Sequence, residues 1–119
     1  MFNTDIQTLF NGFTVNGETI PVVFCYYNGN TDKYVTYVEN YKDNSISGDD
    51  ELVGYVDYYD FDVYIKRGKG SYIPIIEAIN NILVANGWTR QLTRESADMY
   101  ESDTGYFHKT LCFAKEREV

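Results

Sequence analysis

The chain has 119 residues, one domain's worth, and 44% of them are hydrophobic, with 12 Tyr and 7 Phe. That is too apolar for a disordered chain and too short for a multidomain machine. Eighteen acidic against ten basic residues leave a formal charge of -8, which disfavours diffuse attraction to nucleic acid or to anionic membrane surfaces.

The N-terminal stretch MFNTDIQTLFNG carries an acidic residue where a signal peptide would carry positive charge, so export by that route is not expected. Asn3 to Phe10 suit a short helix with Ile6, Leu9 and Phe10 on one side. Val15-Asn16-Gly17-Glu18 follows, and Asn-Gly is the dipeptide that a tight hairpin turn prefers. Ile20 to Tyr27 is a short apolar run that reads as a strand. Tyr34 to Tyr41 alternates, with Val35, Tyr37 and Tyr41 on one side and Tyr34, Thr36 and Val38 on the other. Asp43 to Glu51 is polar and reads as a projecting loop.

Leu52 to Lys66 is long enough for an extended strand. One face holds Tyr55, Tyr59, Phe61, Val63 and Ile65, and the other holds Tyr58, Asp60, Asp62 and Tyr64. Ser71 to Asn86 is the clearest helix, since Tyr72, Ile75, Ile76, Ile79, Ile82 and Leu83 fall in one stripe. Ser71 suits the N-cap, Pro74 the first turn, and Asn86-Gly87 the stop. Trp88 to Met99 reads as a strand, Asp103-Thr104-Gly105 as a turn, and Phe107 to Lys115 as an alternating strand before a charged tail. These elements predict one α+β domain, residues 1–119, in which an antiparallel sheet packs against one long and one short helix.

Few motifs carry chemistry. Lys66-Arg67-Gly68-Lys69-Gly70-Ser71 lies where a phosphate loop would sit, but the order of Gly, Lys and Ser is wrong for a nucleotide P-loop. A tight turn explains it, and its basic residues suit an acidic protein partner. Asp43-Asn44-Ser45-Ile46-Ser47-Gly48 imitates half a calcium loop, yet Gly54 stands at the twelfth position, where a bidentate Glu is required. Asp57, Asp60 and Asp62 invite an acid/base pair, but strand alternation turns Asp57 away from the other two. Cys25 and Cys112 read as reduced, buried thiols rather than a bridge. With a single His, His108, a zinc site would need carboxylates as its other ligands. Neither metal nor cofactor is expected. The surplus of tyrosine is the least ordinary feature, and Tyr favours interfaces because it offers a rigid area with a polar tip.

Three pieces taken in order resemble a known family. They are Tyr34-Val35-Thr36-Tyr37, the unit from Tyr58 through Asp62-Val63-Tyr64-Ile65-Lys66 to Gly70, and the ending from Asp98-Met99-Tyr100 through Thr104-Gly105-Tyr106-Phe107-His108-Lys109 to Phe113. Together they span roughly the last 85 residues, enough for single-domain homology. On these residues the chain is similar to the tail terminator (tail completion, head-to-tail joining) proteins of long-tailed bacteriophages. The short first helix and the hairpin after it depart from that family's longer amphipathic start.

The resemblance implies a structural virion protein of the tail or neck, assembled in the host cytoplasm, with neither catalytic activity nor a cofactor. Copies would form a ring, typically a hexamer, that caps the tail tube, stops its polymerisation and meets the head connector. DNA would cross the lumen without specific binding. On this reading Thr104, Gly105, Phe107, His108 and Lys109 form the last turn and strand, with His108 bonding a neighbouring subunit. Asp43, Asp49, Asp50, Glu51, Lys66, Arg67, Lys69 and His108 are the expected protein-interface residues, and Asp57, Asp60 and Asp62 line the lumen and repel phosphate. The competing readings are another phage neck protein, a small prophage module that binds an acidic partner through Lys66, Arg67 and Lys69, and a small hydrolase built on the aspartates.

Overall fold

Alternating Tyr, Val, Ile and Phe drive three long segments into extended backbone, and their pairing builds the molecule. In the computed structural model, which describes residues 2–44 and 54–118, these are β4 (Lys33–Asn44), β5 (Gly54–Lys66) and β8 (Tyr106–Glu118). β5 is central and antiparallel to both neighbours, pairing with β8 from Gly54↔Glu118 to Lys66↔Tyr106. Beyond β4 lies β3 (Val22–Phe24), and beyond β8 lie two short strands, β6 (Thr89–Arg90) and β7 (Met99–Glu101). A separate hairpin joins β1 (Thr14–Val15) to β2 (Glu18–Thr19). Its turn holds Asn16 and Gly17 at φ 52° and 80°, the left-handed pair that a two-residue hairpin needs.

The expected α+β class with an antiparallel sheet is corrected. The structure is mostly β, 45% strand against 22% helix, and its six-stranded sheet is mixed rather than antiparallel. The parallel element is β3 on β4, with Val22↔Val35 and Phe24↔Tyr37 in register. Parallel strands need a crossover. Here residues 25–32 suffice, because β3 is three residues long and the chain must drop back only from the level of Tyr37 to that of Lys33, about 13 Å at strand rise.

One sheet face, the core face, packs on α1 (Phe2–Leu9) and α2 (Ile73–Ala85). Val35, Tyr37, Phe61, Val63, Leu111 and Phe113 point into it together with Ile6 and Phe10 below and Ile75, Ile79 and Leu83 from α2. Each such buried side chain contributes about 1.5–3 kcal/mol. Tyr37 is 1% exposed, and its hydroxyl donates to Gln7 Oε1 at 2.7 Å, so the α1 end of the core holds no orphan donor there. Ser71 precedes α2 as expected, with its Oγ accepting the Ile73 N–H at 3.1 Å, although the cap position itself belongs to Tyr72. The helix ends before Gly87 at φ 90°.

Two further expectations change. Trp88 to Met99 is not one strand, because a 3-10 turn at Leu92–Arg94 separates β6 from β7. Alternation in β4 does not run through to Tyr41, because the register shifts between Glu39 and Tyr41 and sets Tyr41 opposite Tyr58. The long strands outrun the helices. The molecule measures 55 × 27 × 23 Å with a radius of gyration of 15.5 Å, against about 13.5 Å for a compact chain of this length. Among the described residues no helix is long and apolar enough to cross a membrane.

Candidate functional site

The second sheet face carries the polar groups. Its ends are covered by two arches, the crossover at 25–32 and the segment 91–98, in which Arg94 sits over the Tyr58 ring at 4.7 Å. Under the first arch an aromatic row crosses four segments. Tyr27 stacks on Tyr34 at 4.5 Å, Tyr34 on Tyr64 at 4.5 Å, and Tyr64 on His108 at 4.2 Å. Register explains the row, since Tyr34, Tyr64 and His108 are direct cross-strand partners and the crossover adds Tyr27.

The next two rows hold the carboxylates. Asp62 Oδ1 lies 2.9 Å from His108 Nε2 and accepts from Thr110 Oγ1 at 2.6 Å. Asp60 accepts from Asn40 Nδ2 at 3.3 Å. Burial, then the neighbouring Asp62, hold Asp60 above the usual carboxyl range, with the Asn40 and Cys112 hydrogen bonds opposing. Cys112 is fully buried, and its thiol is pushed up to about 11, chiefly by burial and then by the Asp60 charge. It is no thiolate at neutral pH. His108 and Cys112 stand four residues apart on one strand, about 13 Å by strand rise, so they do not form a nucleophile and base pair.

Asp57 belongs elsewhere, which corrects its place among the lumen residues. It points into the core face with its side chain 3% exposed, where Lys42 Nζ reaches it at 2.6 Å and Glu39 at 2.7 Å. The hydrogen bonds that Lys42 donates to Asp57 and then to Glu39 hold it above the ordinary lysine range. Lys42 also lies over the Tyr55 ring at 5.0 Å. Asp60 and Asp62 share the polar face, as strand alternation predicts.

The other expected interface residues scatter. Asp43 pairs with Val56 inside β4 rather than in a loop, and Asp49, Asp50 and Glu51 lie outside the described residues. Lys66, Arg67 and Lys69 form an exposed turn in which Lys69 N–H donates to the Lys66 carbonyl at 3.1 Å. Lys69 also pairs with Asp32 at 3.6 Å. His108 is engaged within its own chain, with Asp62 at 2.9 Å and Glu101 at 3.7 Å. Cys25 is exposed rather than buried, at φ 67° where the crossover begins. Sequence reasoning missed Lys42, Glu39 and Tyr27, whose partners follow from register and from the path of the crossover. The alternating tyrosines of β4 and β5 were the available signal for the aromatic row.

Exposed apolar groups cluster at both sheet margins. Phe24 and Tyr26, 49% and 74% exposed, flank the β3 side, while Met99, Tyr100 and Phe107 flank the β7 side. Among the described residues no group of three His, Cys, Asp or Glu side chains is placed to hold a metal ion. Compared with models of known protein families and with curated proteins, the sequence matches none.

Proposed function

We propose that this chain is a structural subunit of the neck of a long-tailed bacteriophage, a tail terminator whose copies close into a ring on the end of the tail tube and join it to the head connector. The observation that carries the reading is the pair of exposed aromatic margins at opposite sides of one sheet. A head-to-tail contact uses two different patches of the same subunit and closes into a ring when its rotation permits. Phe24 and Tyr26 on one margin and Tyr100 and Phe107 on the other provide such a pair, with the aromatic character that interface centres favour. The long β4–β5–β8 ribbon supplies a rigid arm beyond the helices for contact with the tube. Asp60 and Asp62 keep the polar face acidic, which suits a surface that DNA passes without adhering.

The decisive experiment deletes the gene from the phage or prophage that encodes it and images the lysate by electron microscopy. Overlong, unattached tails beside DNA-filled heads are the expected result. Normal tails with normal infectivity reject the reading and leave a small module that binds an acidic partner through Lys66, Arg67 and Lys69.

A further inference from the structure

The crossover at 25–32 does more than return the chain to β4. Against the polar face it borders an open cavity of about 220 Å³ lined by Cys25, Tyr26, Tyr27, Tyr34, Thr36, Tyr64 and Glu101. Thr36 is 7% exposed, and its hydroxyl has no hydrogen-bond partner among the described residues. Buried hydroxyls are paired in the great majority of cases, since an unpaired one carries its desolvation cost uncompensated. Among the described residues the hydroxyls of Tyr34 and Tyr64 likewise have no hydrogen-bond partner, whereas that of Tyr27 is taken by Thr31 at 2.9 Å.

Ring stacking decides what these tyrosines offer a ligand. Tyr34 has Tyr27 on one face and Tyr64 on the other, and Tyr64 has Tyr34 and His108. Neither ring has a free face for a planar group, so each presents its edge and its oxygen. The cavity is therefore rich in hydroxyls, with the Glu101 carboxylate the one group in its lining that only accepts and with neither Lys nor Arg beside it. The local field is negative: burial, then the neighbouring Tyr106 and Glu101, push the Tyr34 phenol up to about 12.

We propose that this cavity binds a primary ammonium group, held by charge-assisted hydrogen bonds to Glu101, Thr36 and the Tyr34 and Tyr64 hydroxyls. An ammonium is a compact charge with three donors and no acceptor, which suits one carboxylate ringed by hydroxyls that can turn their lone pairs towards it. A guanidinium gains its advantage from stacking and fork geometry, and the occupied ring faces deny it the first. The same chemistry has two sources, a lysine side chain of another protein and a free diamine. The inference does not depend on the ring reading, because the groups proposed to hold the ammonium, Glu101, Thr36, Tyr34 and Tyr64, are not the aromatic margin residues, although Tyr26 of the β3 margin also borders the cavity.

The test is a heteronuclear NMR titration of the full chain at fixed ionic strength with Nα-acetyl-lysine methylamide and with putrescine, and with Nα-acetyl-norleucine methylamide as the uncharged counterpart. Expected are saturable shifts at the amides of Thr36, Tyr64 and Glu101, with Kd in roughly the millimolar range set by one small polar group. Kd rises at least tenfold in Glu101→Gln and in Thr36→Val, and bound amine slows thiol labelling of Cys25. Tighter binding of the lysine derivative assigns the site to a protein side chain, and tighter binding of putrescine assigns it to free amines. Equal binding of the norleucine derivative, unchanged Kd in both variants, or no saturable shift overturns the proposal. Glu101 is partly exposed near a turn, so its variant keeps the test decisive even if Thr36→Val loses stability.

Discussion

Tyr27 reaches Tyr34 because residue 29 is glycine. The Tyr27 hydroxyl occupies the space that a β-carbon at position 29 would fill. Gly29→Ala therefore forces the ring out of its stack, and urea unfolding should show a loss of about 1 kcal/mol together with a weaker near-UV signal from the tyrosines. Unchanged stability and spectrum would mean that the crossover shifts freely. The two thiols should separate as clearly. Cys25 is exposed and Cys112 buried, so a thiol reagent at neutral pH should label one equivalent at once and the second only on unfolding. Cys112 titrates near 9 when unfolded and about 11 when folded. The folded state therefore holds the extra proton between those values, and stability should fall as pH rises through that window.

Among the elements, β5 carries both ionic clusters, one on each face. On the core face, Lys42 meets a carboxylate that is almost completely buried, whereas the Lys69–Asp32 pair on the exposed turn has both partners in solvent. Removing the first partner leaves Asp57 with a lost charge-assisted bond. Lys42→Met should cost about 1–3 kcal/mol, and Lys69→Met less than about 0.5 kcal/mol. Chemical denaturation of both variants checks the order, and equal effects would show that Asp57 relaxes to other partners. On the polar face Asp60 behaves oppositely. An ordinary carboxyl titrates near 3.8 and folded Asp60 higher, so the folded state binds more protons between the two values and stability falls as pH rises through them. Asp60→Asn removes that penalty and keeps an acceptor for Asn40. It should raise Tm at pH 7, with the gain gone below the unfolded carboxyl's range.

For the whole molecule, the long ribbon and the two aromatic margins set the expectation. Phe24→Lys combined with Tyr100→Lys changes half-exposed positions whose rings pack on Tyr37 and Phe107, so stability should fall by about 0.5–1.5 kcal/mol per site with the fold retained. Complementation of a deletion phage should nevertheless drop by orders of magnitude under the ring reading. Full complementation by the double variant would move the interface away from the margins.

Much of this was legible from local pattern. The stripe of Ile75, Ile76, Ile79 and Leu83, the Asn16-Gly17 turn, and the division of β5 into Phe61 and Val63 against Asp60 and Asp62 follow from spacing and from the backbone freedom of single residues. Such features involve neighbours in the chain, and their signal lies in consecutive residues. What pairs with what is a different kind of fact. The parallel seat of β3, the shift after Glu39, the burial of Asp57 beside Lys42, and the crossover that lays Tyr27 on Tyr34 depend on residues far apart in the chain. A one-residue change of register reverses every side chain in a strand, so only the packed sheet decides which aspartate meets a lysine and which tyrosines wall a cavity.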